Sequence, residues 1–181
     1  MIRALIITIL GLVPLPAMAD CPEFAHQTPE TEALIAAIQN ADTEYEAQQL
    51  NDQLWALWTD APDETAQMLL NEGMSARSSY DYIRALDQFS RLVDYCPDYA
   101  EGYNQRAFIN FLREDYEAAL PDLDKALSLN PTHIGAYSGL ALTLFGLDRY
   151  SEGAKVLREA LELNPWLSER HLLQELPGEE L

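Results

Sequence analysis

Cys96-Pro97-Asp98, Asn130-Pro131-Thr132 and Asn164-Pro165-Trp166 punctuate the chain at equal intervals, successive prolines standing 34 residues apart. A fixed period of that length is the mark of one supersecondary unit repeated along a solenoid. Laying residues 66–99, 100–133 and 134–167 over one another lets each column be judged by physics. The eighth column holds Gly73, Ala107 and Ala141, and the twentieth Ala85, Ala119 and Gly153. Small residues at those places let two antiparallel helices cross at close range. The fourth column (Leu69, Tyr103, Tyr137) and the twenty-fourth (Phe89, Leu123, Leu157) supply the bulk that fills the space between helices and between neighbouring repeats. Tyr82, Tyr116 and Tyr150 open each second helix. The prolines disfavour helical backbone in the residue before them, so they end the second helix and turn the chain toward the next pair.

Tyr103-Asn104-Gln105-Arg106-Ala107, followed by Asp115-Tyr116 and Ala126-Leu127, resembles a typical member of the tetratricopeptide repeat (TPR) family. Gly153 in the third repeat and Leu92 in the first depart from the family's alanine habit at their columns. The resemblance implies an all-α fold, an α-solenoid of antiparallel helix pairs wound into a TPR superhelix. Three clear repeats (66–99, 100–133 and 134–167) are expected, with a short capping helix and tail over 168–181, where Leu172 and Leu173 cover the last apolar face.

Upstream, Thr28-Pro29-Glu30 has the form of a helix start, and Thr43 with Glu46 that of a capping box. Leu34, Ile38, Leu50, Leu54 and Leu57 follow at helical spacing. Pro62 lies 35 residues before Pro97, one more than the period. Residues 31–65 therefore read either as a degenerate fourth repeat or as a helical hairpin capping the array. Trp55 and Trp58 are expected in the core on both readings.

Arg3, the apolar run Ala4 to Val13, and Ala17-Met18-Ala19 give the order of a cleavable secretory signal over 1–19, cut after Ala19. The run is too short to span a bilayer. A lipid anchor on Cys21 is the rival reading, against which stands Asp20, since the residue before a lipidated cysteine is small and neutral. The reading is an exported bacterial protein, periplasmic in location, with 20–30 as an N-terminal segment. Removing Arg3 leaves ten basic against thirty acidic side chains, so repulsion makes nucleic acid and anionic membrane surfaces poor partners, and neither is expected. Cys21 and Cys96 are the only cysteines and form a candidate disulfide in an oxidising compartment. They lack the C-x-x-C spacing of a redox catalyst.

His26, His133 and His171 have no metal-ligand spacing, and no nucleophile motif, glycine-rich phosphate loop or calcium loop accompanies them. The acidic pairs Asp122 with Asp124, and Glu114 with Asp115, read as solvated helix faces. No enzyme activity, metal or cofactor is expected. In the TPR family the first helix of each repeat generally lines the concave face, and the resemblance therefore implies a set of contact residues. They are Leu70, Asn71, Met74 and Arg77 in the first repeat, Asn104, Gln105, Phe108, Phe111 and Leu112 in the second, and Ser138, Leu142 and Phe145 in the third. An apolar strip with a few amides suits an extended segment or amphipathic helix of a partner protein. The same apolar residues also suit packing on neighbouring helices or on the chain's own N-terminal segment. Leu70 and Met74 stand where the family's carboxylate clamp places lysine and asparagine, so that clamp is not matched. The function so indicated is a scaffold or adaptor that binds a protein or peptide segment. The alternative is a self-associating, homo-oligomeric module, and a thiol redox protein or hydrolase comes last.

Overall fold

Tyr82, Tyr116 and Tyr150 each begin a helix, and each of those helices runs 14 residues to the residue before a capping Cys96, Asn130 or Asn164. The computed structural model describes residues 21–173; the signal reading at 1–19 and the tail from 174 lie outside them. In chain order the helices are α1 (Pro29–Gln39), α2 (Glu44–Trp58), α3 (Glu64–Ser78), α4 (Tyr82–Tyr95), α5 (Ala100–Leu112), α6 (Tyr116–Leu129), α7 (Ile134–Gly146) and α8 (Tyr150–Leu163). A 3-10 turn, Ser168–Leu173, follows. The fold is an all-α solenoid: α3 packs on α4, α5 on α6 and α7 on α8, while α4 to α5 and α6 to α7 join each pair to the next.

The small columns sit at the seams. Ala107, Ala119 and Ala126 are buried together with Leu123 and Ala136. A Cβ on Gly73 would stand 2.7 Å from the Phe89 Cζ, and one on Gly153 at 2.7 Å from the Phe145 ring, so in both pairs an aromatic face lies where a side chain would begin. Phe89 itself is fully buried. Removing the glycine's missing methyl space would push a ring that has nowhere to go.

Two backbone devices repeat with the period. Between the helices of each pair, Tyr80, Glu114 and Asp148 take φ of 62, 60 and 59°, again 34 residues apart. The next residue's N–H returns to the helix, Asp81 to Ala76, Asp115 to Asn110 and Arg149 to Leu144, each at 2.9 Å. This is the Schellman closure that ordinarily selects glycine. Between pairs, Tyr99, His133 and Leu167 donate back to the carbonyls of Cys96, Asn130 and Asn164 across the proline turns. The Asn130 and Asn164 side-chain oxygens accept from Thr132 and Trp166 N–H groups.

Residues 31–65 form a hairpin, α1 packed on α2, yet it does not extend the stack beyond α3. Its apolar face (Ile35, Ile38, Leu54, Trp58) is buried with Ile134 of α7, Leu163 of α8 and Leu167, at the far end of the array. Gln39 donates to the Glu162 carbonyl and Arg170 reaches Glu44. The hairpin thus crosses the array as a cover instead of serving as a degenerate repeat, because its broad aliphatic face finds matching apolar surface on α7 and α8. The preceding segment is strapped to the turn between α4 and α5. Cys21 and Cys96 are placed as a disulfide with Cα atoms 5.2 Å apart, Phe24 sets its ring edge-on to Tyr99, and His26 Nε2 donates to the Asp98 carbonyl at 2.7 Å.

Asp63 opens α3: its carboxylate accepts from the Ala66 N–H at 2.8 Å and from the Tyr95 hydroxyl at 2.7 Å. Those donors, the Ala66 N–H foremost, hold its carboxyl below the ordinary carboxylate range. Asp63→Ala is expected to lower the unfolding free energy by about 1 kcal/mol at neutral pH. A carboxyl depressed in the folded state contributes above its unfolded pKa and loses that contribution as pH falls through its folded one. Urea titrations of variant and parent are therefore expected to converge on acidification, and a gap independent of pH would show that the cap does not act through charge.

Candidate functional site

Pairing successive helix pairs brings the first turn of α5 against the start of α7, and with them two ionisable side chains 32 residues apart, Glu101 and His133. Each is 1% exposed. The Ala136 N–H points at His133 Nδ1 at 3.1 Å, and since a backbone N–H only donates, the ring proton sits on Nε2. Nε2–H donates to Glu101 Oε2 at 2.8 Å. The same carboxylate accepts from Asn104 Nδ2 and from Gln105 Nε2, and Gln105 Oε1 in turn accepts from Arg77 Nη1. Arg77 also lies 5.3 Å over the Phe108 ring. Burial pulls the Arg77 guanidinium below its ordinary value, and the Glu101 charge works against that shift. The chain from α3 through α5 to α7 is thus held by one polar network, its carboxylate satisfied by three donors.

The N-terminal hairpin closes over this network. Trp58 stacks on the His133 ring with centroids 4.3 Å apart, and its carbonyl accepts from the Tyr99 hydroxyl. Burial raises the Tyr99 hydroxyl far above the ordinary tyrosine range, so it remains a donor. Between α2 on one side and α5 and α7 on the other lies a cavity of about 300 Å³. Its walls include Asn51, Trp55 and Trp58 from α2, Arg77, Asn104, Gln105, Phe108 and Phe111 from α3 and α5, and Ser138, Gly139, Leu142 and Thr143 from α7. Trp58 Nε1 and Thr143 Oγ1, on two of these residues, are buried away from solvent and have no hydrogen-bond partner. A buried polar group left unpaired costs about 1–3 kcal/mol. Among the described residues, no group of three or more His, Cys, Asp and Glu side chains is placed to hold a metal ion. No described helix is long and apolar enough to cross a membrane.

Family models for the tetratricopeptide repeat match residues 100–133 and 134–165. These residues are tetratricopeptide repeats. A TPR repeat-containing protein of Rhizobium etli is 33% identical over 87 residues, 48% of this chain and 43% of that protein. Human tetratricopeptide repeat protein 36 is 29% identical over 113 residues, 57% of this chain and 60% of that one. The chain thus spans less than two thirds of the length of these curated relatives. Among solved structures, the first TPR of Spaghetti (RPAP3) bound to an HSP90 peptide, SRMEEVD, superposes with a TM-score of 0.60 at 26% identity, over 62% of this chain and 90% of that one. The Arabidopsis OM64 TPR domain gives the same TM-score at 21% identity over 62% and 93%, a likeness of fold alone.

Seven of the twelve contact residues expected from the TPR resemblance meet at the cavity: Arg77, Asn104, Gln105, Phe108, Phe111, Ser138 and Leu142. Five do not. Leu70 is fully buried in the cluster around Phe89 and Tyr99, with Met74 and Leu112 packed against it. Phe145 lies in the α7 and α8 seam over Gly153, and Asn71 is exposed and bonded to Gln67. The four apolar positions face their own helix pair or the next one, because the pitch of a TPR array turns part of each first helix into the seam, whereas Asn71 faces solvent. Trp58 is core, whereas Trp55 is 39% exposed and lines the cavity, so the expectation of two core tryptophans holds for one. Asp122 is no solvated face. It is buried and holds Arg106 by two bonds of 2.7 and 2.6 Å, while Asp124 is exposed.

Glu101 and His133 escaped the sequence reading. Their separation, two residues short of one TPR period, is the signal that could have found them, since residues one period apart come into register when pairs stack.

Proposed function

We propose that this chain is an exported, periplasmic TPR scaffold that holds a segment of a partner protein on the side of the array formed by α3, α5 and α7, without catalysing a reaction. The observation that carries the reading is the gathering of Arg77, Asn104, Gln105, Phe108 and Phe111 from two repeats at one cavity, with Phe108 left 39% exposed. An apolar surface edged by amides offers a partner burial together with backbone hydrogen bonds. The RPAP3 structure, which holds an HSP90 peptide on a similar fold, lends support from outside this chain. The α1 and α2 hairpin covers the α7 and α8 end, so the partner segment engages the α3 and α5 end. Export and an oxidised Cys21–Cys96 pair belong to the same reading, the bridge fastening the segment that leads into α1 to the turn between α4 and α5.

The test places a photoreactive side chain at Phe108 and, in a second variant, at the exposed Asp124 of α6. One protein species crosslinked reproducibly from position 108, lost when Arg77→Ala is added, is the expected result. Capture from position 124 alone sinks the reading. N-terminal sequencing of the periplasmic fraction is expected to begin at Asp20. A concentration-dependent mass in light scattering, with position 108 crosslinked to a second copy, would instead identify a homo-oligomer.

A further inference from the structure

We infer that the hairpin of α1 and α2 is a lid, hinged at the turn between α4 and α5, whose closure over α7 is governed by ionic strength. The motion stands apart from the scaffold reading. Its consequence, control over how much of the groove a partner segment reaches, rests on that reading.

The first support is where the hairpin is attached. Cys21 is bonded to Cys96 and His26 to the Asp98 carbonyl, so the chain enters α1 from the turn between α4 and α5. It leaves α2 at the same turn, where the Tyr99 hydroxyl donates to the Trp58 carbonyl. The tip of the hairpin lies at the other end of the array, with Gln39 on the Glu162 carbonyl and Glu44 on Arg170. A helix of 11 residues is about 16 Å long, so the hairpin is a lever held at one end. Both contacts at its tip are exposed, and exposed polar pairs hold weakly. Residues 59–63, which lie outside any helix, connect the lever to α3 and can absorb its rotation.

The second support is the balance of forces across the seam. Residues 21–63 carry nine acidic side chains and no lysine or arginine, while residues 64–173 carry seventeen acidic against ten basic. Lid and array therefore repel each other. What closes the lid is apolar burial, Ile35, Ile38 and Leu54 meeting Leu163 and Leu167. The repulsion is screened by salt, with a reach of about 30 Å at 0.01 M and about 3 Å at 1 M, whereas apolar burial needs no charge. Salt thus removes the force that opposes closure and leaves the one that drives it. Closure also carries a cost of its own. The Trp58 indole N–H has no partner while the ring is stacked on His133, and opening returns it to water. With the lid open, Leu142 of α7 joins the surface that α3 and α5 present.

The experiment uses the mature, disulfide-bonded chain without a partner. Spin labels on unnatural side chains replace Tyr45, an exposed residue near the tip, and Ser151, exposed at the start of α8. A second pair, at the exposed Asp124 and Ser151, reports on the array alone. Electron spin resonance distances are read at about 0.01 M and about 1 M sodium chloride. The first pair is expected to show one distance at high salt and, at low salt, a longer one whose share is greater by about tenfold or more. Glu32→Gln, Asp42→Asn and Asp52→Asn together should abolish that rise, and Ile35→Ser, which weakens the seam, should populate the longer distance at both salts. Identical distances at both salts in the parent chain would make the hairpin a fixed part of the fold and overturn the inference. A longer distance that grows with salt overturns it too, as does a control pair that widens in step with the first. Partner capture from Phe108 is scored on separate samples, so either reading can fail without the other.

Discussion

Glu101→Ala is expected to lower the unfolding free energy by about 3 kcal/mol or more, because three donors lose their acceptor and a buried donor left unpaired costs about 1–3 kcal/mol. The substitution takes away a single carboxylate, yet it strands the His133 Nε2–H, the Asn104 amide and the Gln105 amide together. His133 and Gln105 sit where water enters poorly, and Gln105, released, no longer positions Arg77. Glu101→Gln is expected to cost less, since one amide oxygen still accepts while its NH2 confronts donors. Urea unfolding of Glu101→Ala, His133→Ala and the double variant closes a cycle whose coupling term isolates the pair. A loss below about 1 kcal/mol for Glu101→Ala would show that solvent replaces the carboxylate, and the network would then not be what holds α5 to α7.

Replacing Cys21 and Cys96 together by serine is expected to remove about 4 kcal/mol, because the bridge closes a segment of 75 residues and restricts the unfolded chain accordingly. The effect is also expected to be local in the folded state. Phe24 on Tyr99 and His26 on the Asp98 carbonyl then anchor the strap, and His26 is only half-buried. Burial lowers the His26 pKa, with the carbonyl bond opposing, so the ring stays neutral over most of the physiological range. Limited proteolysis should therefore cut the doubly substituted chain before Thr28 while α3 to α8 stay protected. Equal stability of parent and variant, each measured without reductant, would show that the two thiols are not joined in the working protein.

The repeats were legible because their causes are local and recur. Gly73, Ala107 and Ala141, or Phe89, Leu123 and Leu157, announce a seam by size alone, and Pro97, Pro131 and Pro165 announce a turn by geometry. Seven of the expected contact residues come together at one cavity for the same reason, since the first helix of each pair faces the inside of the curve. Leu70, Met74, Leu112 and Phe145 were misplaced because helical spacing separates faces of a helix and does not say which face a neighbour will claim. The positive φ at Tyr80, Glu114 and Asp148 had no signal of its own: the turn needs a left-handed residue, and the chain meets that need without glycine.

Acting by itself, then, the order of residues determined the helix pairs, their seams and the turns between them, because each depends on side chains within about one period of one another. Tertiary structure alone decided where the N-terminal hairpin lies, that Trp58 stacks on His133, and that Glu101 meets both His133 and the Arg77 relay. Those contacts join segments whose encounter depends on the accumulated curvature of the array, and no local pattern encodes a curvature that arises only when the pairs are stacked.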